Sequence, residues 1–131
     1  MRVAIVGSRS VSMDAYDIVL RYIPKGASEI ISGGAEGADQ IAEVYAGNNH
    51  LPLRIYRPDY ETYHKSAPLQ RNLQIVQYSD YVLVLWDGTS RGAANVIRLC
   101  FQEFTPVHVL LIRDGKLVQT LFGQDDGRLM G

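Results

Sequence analysis

The stretch Ile30-Ile31-Ser32-Gly33-Gly34-Ala35-Glu36-Gly37-Ala38-Asp39 constrains this chain more than any other. A β-branched apolar run stops at three closely spaced glycines, and Ile41, Ala42, Tyr45 and Ala46 then mark one face of a helix. Glycine allows the backbone to turn tightly and a ligand to come close. The first turn of the following helix offers N–H groups and a positive dipole end to an anion, most often phosphate. A turn that serves packing alone is the competing explanation.

The rest of the chain repeats the strand–turn–helix rhythm. Val3–Val6 reads as a buried parallel strand that ends at Gly7-Ser8-Arg9-Ser10. Ser12 is the expected N-cap of a helix carrying Ala15, Ile18, Val19, Tyr22 and Ile23 inward, stopped by Pro24 and Gly26. Strands follow at Glu29–Ser32 and Leu53–Tyr56, with the intervening helix ending near Gly47-Asn48-Asn49. Residues 60–66 lack periodicity and read as loop. Pro68 opens a helix with Leu69, Leu73 and Val76 on its apolar face. Tyr81–Trp86 is the clearest strand and leads to Asp87-Gly88-Thr89-Ser90-Arg91-Gly92. The next helix is strongly amphipathic, with Ala93, Val96, Ile97, Cys100, Phe101 and Phe104 on its apolar side. A fifth strand spans Val107–Ile112, and Asp114-Gly115 signals a hairpin back into an antiparallel edge strand, Leu117–Phe122. The polar tail, 123–131, reads as loosely held.

This alternation implies an α/β, three-layer domain over residues 1–122, with a mostly parallel five-stranded sheet in the order 3-2-1-4-5. Ligands of such sheets bind beyond the carboxyl ends of the strands, where the winding reverses. The small polar turns Gly7-Ser8-Arg9, Gly33-Gly34, Arg57-Pro58 and Asp87-Gly88-Thr89-Ser90 all fall at those ends, whereas the opposite connections look plain.

The chain has 131 residues, a 47% apolar fraction and a formal net charge of -1, which provides no general basic excess for nucleic acid. The lone Cys100 excludes an intrachain disulfide and fits the core. No apolar run resembles a signal peptide or a membrane span, so a cytoplasmic protein without a membrane partner is expected. His50, His64 and His108 are scattered without ligand spacing, and no metal is expected. There is neither a Walker-type phosphate loop nor a Gly-x-Gly-x-x-Gly after the first strand.

Single residues carry two readings each. Arg9 and Arg71 suit phosphate contact or a solvated surface. Asp39 suits a ribose hydroxyl or, as the favoured reading, the helix dipole. Asp87 suits a functional carboxylate or a turn former. Trp86 reads as core rather than a stacking platform, and Tyr56, Tyr60 and Tyr63 as a packed loop rather than a base pocket. Glu61 and Lys65 read as solvated.

The ordered pieces Val6-Gly7-Ser8-Arg9, Ile31 to Asp39, Arg57-Pro58, Arg71-Asn72 and Trp86 to Gly92 resemble the SLOG superfamily of Rossmann-like proteins, closest to its YspA-like branch. DNA-processing protein A and the Lonely-guy phosphoribohydrolases are more distant. The resemblance spans about residues 3 to 112. It implies a nucleotide-type ligand on Gly7, Ser8, Arg9, Ser32, Gly33, Gly34, Gly37, Asp39, Arg57, Arg71, Asp87, Gly88, Thr89, Ser90 and Gly92. The backbone amides of Gly33, Gly34 and Gly37 would meet phosphate. Ala93-Ala94-Asn95 stands where the hydrolases carry threonine and glutamate, so the carboxylate needed at an oxocarbenium-like centre is missing there. Only Asp87, Glu36 and Arg71 remain as weak catalytic candidates.

The expectation is therefore a nucleotide-binding or sensing module with no cofactor, acting as a homodimer or larger homo-oligomer. An N-glycosidic hydrolase or deoxyribosyltransferase-like enzyme is the alternative. Single-stranded DNA binding is the weakest, because the charge argues against a nucleic-acid partner.

Overall fold

Side chains on a strand alternate between faces, and in this chain both faces are apolar. In the computed structural model, which describes residues 1–123, Val3 and Ile5 of β1 (Arg2–Gly7) face one core while Ala4 and Val6 face another. The same division holds in β2 (Glu29–Ser32), β4 (Tyr81–Trp86) and β5 (Val107–Arg113). The sheet is completed by β3 (Leu53–Ile55) and β6 (Lys116–Leu121), in the order β3-β2-β1-β4-β5-β6. The first five strands are parallel and β6 returns antiparallel to β5.

Helices α1 (Tyr16–Leu20) and α2 (Ala38–Asn48) cover one face through Val19, Ile41 and Ala42. Helices α4 (Ala67–Tyr78) and α5 (Arg91–Gln102) cover the other through Ile75, Val76, Val96 and Cys100. This is the expected three-layer α/β, Rossmann-like architecture, and winding reverses between β1 and β4. Cys100 is buried, which pushes its thiol up to about 12.

Four local expectations need correction. Residues 60–66 are not loop: α3 (Tyr60–Tyr63) forms there, followed by a 3-10 turn. Asp59 starts α3 by accepting the Thr62 N–H at 3.2 Å, a cap that needs no apolar periodicity. Ser12 precedes a 3-10 turn, Met13–Ala15, and makes no side-chain cap. Leu69 lies on the exposed side of α4, and Phe101 and Phe104 are exposed rather than part of the core face. From residue 124 onward the expected tail lies outside the described residues. Among the described residues no helix is long and apolar enough to cross a membrane.

Candidate functional site

The carboxyl ends of β1, β2 and β4 open between α2, α4 and α5 into a cleft of about 490 Å³. Gly7, Arg9, Gly33, Asp39, Arg71, Asp87, Ser90 and Gly92 line it. Its floor is set by close backbone packing. A Cβ at Gly37 would come 2.4 Å from the Arg9 carbonyl oxygen, and its φ of 77° is one that glycine adopts without strain. The Ala38 N–H donates to the Ser8 carbonyl at 3.1 Å, which ties the start of α2 to the β1 turn.

Asp39 organises the glycine turn. Its side chain is buried, and Oδ2 accepts the N–H groups of Gly33 at 3.0 Å and Ala35 at 3.3 Å. The Gly34 N–H donates to Ser32 Oγ at 3.0 Å. Burial raises the Asp39 carboxyl to about 6, against the opposing pull of the Ala35 N–H, the Arg71 charge and the Gly33 N–H. The Gly33 and Gly34 amides, expected to meet phosphate, both donate to side chains of the turn itself. Asp39 complements the Gly33 and Ala35 amides of the turn.

Arginine side chains take the positions over the glycines. Arg71 reaches from α4 and donates through Nη1 to the Gly33 carbonyl at 2.7 Å, and through Nε to Asn72 Oδ1 at 2.9 Å. A Cβ on Gly33 would sit 2.8 Å from Arg71 Nη1, and one on Gly34 would sit 2.8 Å from Arg57 Nη1. Burial lowers the Arg71 pKa, with the Asp39 charge opposing it. Arg9 is exposed at the rim and forms no ion pair among the described residues.

Asp87 closes the β4 side. It accepts the Thr89 N–H at 2.9 Å, the Ser90 N–H at 2.8 Å and the Ser10 hydroxyl at 2.7 Å. Partial burial would raise its pKa, but these donors outweigh that and hold it well below the usual carboxylate range. Asp87 is a turn former with an engaged carboxylate. Glu36 is exposed and does not line the cleft. Ser8 is buried and supports the same junction, its Oγ accepting the Asp87 N–H at 3.0 Å. Gly88 packs beside Arg113, and Thr89 is exposed. Trp86 is half-buried, with Nε1 donating to the Ser90 carbonyl at 3.0 Å.

Sequence reasoning missed Ser10, Pro68, Leu69 and Asn72, which also border the cleft. Ser10 follows Arg9 in the β1 turn and Asn72 adjoins Arg71, while the first turn of α4 brings Pro68 and Leu69 in. A larger hollow of about 960 Å³, lined by Tyr16, Ile23, Tyr45 and Tyr81 among others, lies at the opposite end of the sheet. No cluster of metal-ligating side chains occurs among the described residues.

Residues 1–63 match the family model described as the YspA, cpYpsA-related SLOG family. The Gene 61 protein of Mycobacterium phage D29 is 33% identical over 118 residues, which is 81% of this chain and 93% of that protein. The chain belongs to this SLOG family. A solved structure of DNA processing protein A from Helicobacter pylori, described for its single-stranded DNA binding mode, superposes with a TM-score of 0.66. It is 25% identical and the match covers 89% of this chain and 68% of that one.

This likeness overturns the expectation that a nucleic-acid partner is disfavoured. A net charge summed over the whole chain hides where the charges sit. Arg9, Arg57 and Arg113 stand at or just beyond the carboxyl ends of β1, β3 and β5, Arg91 opens α5 after β4, and Arg71 joins them from α4.

Proposed function

We propose that this SLOG protein binds single-stranded nucleic acid across the carboxyl edge of its sheet. The observation that carries the reading is the row of arginines along that edge. The two buried or turn-forming aspartates beside them, Asp39 and Asp87, are occupied by N–H and O–H donors. Arginine pairs with phosphate bidentately and keeps its charge at any physiological pH. The single-stranded DNA binding of DNA processing protein A supports the same partner class on a similar fold.

Fluorescence anisotropy with a labelled 20-mer of deoxythymidine tests this. Binding is expected to weaken as salt rises, with a log–log slope of about -0.7 per phosphate neutralised on a single strand. An unlabelled duplex of the same length is expected to compete poorly. Absence of binding at low salt would overturn the reading.

A free nucleotide is a second reading, favoured by one observation: about 490 Å³ lies within the roughly 300–1,000 Å³ range of small-molecule pockets. A thermal shift with mononucleotides or ADP-ribose, without strand binding, would select it.

A further inference from the structure

We infer that α3 and the first turn of α4 form a stacking wall for the bases of the bound strand. The inference rests on the single-strand reading and adds the part of the ligand that the arginines do not address.

Three large apolar side chains stand in water at this corner: Tyr60 is 60% exposed, Leu69 52% and Tyr63 38%. None is needed for the core, since α4 already packs through Ile75 and Val76. The corner is held in place. Asp59 caps α3 through the Thr62 N–H, and Ser66 Oγ donates to the Tyr63 carbonyl at 2.8 Å. The rings therefore sit on a pinned turn, which lowers the entropy a ligand must remove on docking.

The wall adjoins the cleft. Leu69 and Pro68 line it beside Arg71, and α3, which carries Tyr60, packs against α4. Arg57, His64 and Lys65 flank the tyrosines in sequence, the carboxylate of Asp59 is engaged in its cap, and Glu61 is the exposed acid between the two rings. Apolar ring faces beside cations suit a chain that alternates flat bases with phosphates. Bases in a duplex present no faces, so the wall requires a single strand. Stacking on such side chains tolerates any base, because every base has a π-face.

The test compares a 20-mer of deoxythymidine with a strand of equal length in which every base is replaced by a tetrahydrofuran spacer. Their phosphates are the same. The intact protein is expected to bind the base-bearing strand at least tenfold more tightly. Tyr60→Ala and Leu69→Ser are each expected to weaken that binding roughly 5- to 100-fold and to leave the abasic strand unchanged, while Tyr60→Phe retains it. Both positions are exposed, so circular dichroism and melting temperature should stay at the parent values. Equal binding of the two strands by the parent protein overturns the wall but keeps the strand site. Equal weakening of both strands by Tyr60→Ala, or no weakening of either, also overturns it. Binding of neither strand overturns the strand site itself. If Tyr60→Ala leaves strand binding intact, the exposed rings serve a protein partner instead, and the wall is wrong.

Discussion

Asp39 shows how much a single side chain determines at this site. A carboxylate in the core is costly unless hydrogen-bonded, and here it is held against the amides of the glycine turn. Its folded pKa, about 6, is above the ordinary aspartate value of 3.8. The folded state therefore holds this proton more tightly than the unfolded chain does. The associated stability is complete below about pH 4 and is lost as pH rises through about 6. At about 1.4 kcal/mol for each tenfold change in proton affinity, the difference approaches roughly 3 kcal/mol. Asp39→Asn keeps an oxygen for the two amides and removes the titration. Urea unfolding at several pH values should show the Asn variant gaining on the parent between pH 4 and 7 and holding constant above. A pH-independent difference would mean that the turn accepts the ionised carboxylate without cost. Neighbouring residue types made the glycine turn readable in the sequence. The use of its amides was not, because that depends on Asp39 folding back over six residues.

Helices α2 and α5 end alike, and neither uses glycine. The Leu51 N–H donates to the Ala46 carbonyl at 2.9 Å, and the Thr105 N–H to the Cys100 carbonyl at 2.9 Å. These are the six-to-one bonds of the Schellman motif, in which the residue just past the cap takes a left-handed conformation. Here those residues are His50, φ 53°, and Phe104, φ 56°. The C-cap composition at Gly47-Asn48-Asn49 located the end of α2 but not the residue that turns it. Left-handed backbone costs a residue with a Cβ about 1–2 kcal/mol. Phe104 is 92% exposed, so it offers little packing in return. Phe104→Gly is therefore expected to raise stability by about 0.5–1 kcal/mol, a few degrees in Tm, and His50→Gly to act in the same direction. A lower melting temperature for Phe104→Gly would mean that its ring makes contacts that matter. Four of the parallel strands, β1, β2, β4 and β5, were legible because burial on both faces writes them as apolar runs. Helix α3 was not, since four residues fixed by one capping aspartate leave no period to detect. Leu69, Phe101 and Phe104 misled for a related reason: helical spacing assigns a face but does not say where the covering layer ends.

At the scale of the whole molecule, charge placement separates this protein's surfaces where net charge does not. The strand ends at one edge carry the arginines, and at the other end Arg2 is spent on Asp80 at 3.2 Å. Arg54, in the edge strand β3, pairs with Glu29 at 3.3 Å. Exposed pairs of this kind contribute little stability, but they cancel the local field. Two double variants test whether placement governs binding. Arg9→Gln with Arg57→Gln removes two positive charges at the carboxyl edge. Lys25→Gln with Arg98→Gln removes two elsewhere, at the turn after α1 and in the second half of α5. Both pairs shift the net charge equally, so a polyanion attracted by the overall field would respond equally to either. A strand seated at the carboxyl edge would not. The first pair is expected to weaken binding to the deoxythymidine 20-mer at least tenfold and to flatten the salt dependence by more than one unit of slope. The second should leave both within about twofold of the parent at ionic strengths where the Debye length is about 10 Å, well short of the span of the sheet. Equal losses from the two pairs would place the strand's attraction in the protein's net charge, and the carboxyl edge would lose its claim to the site.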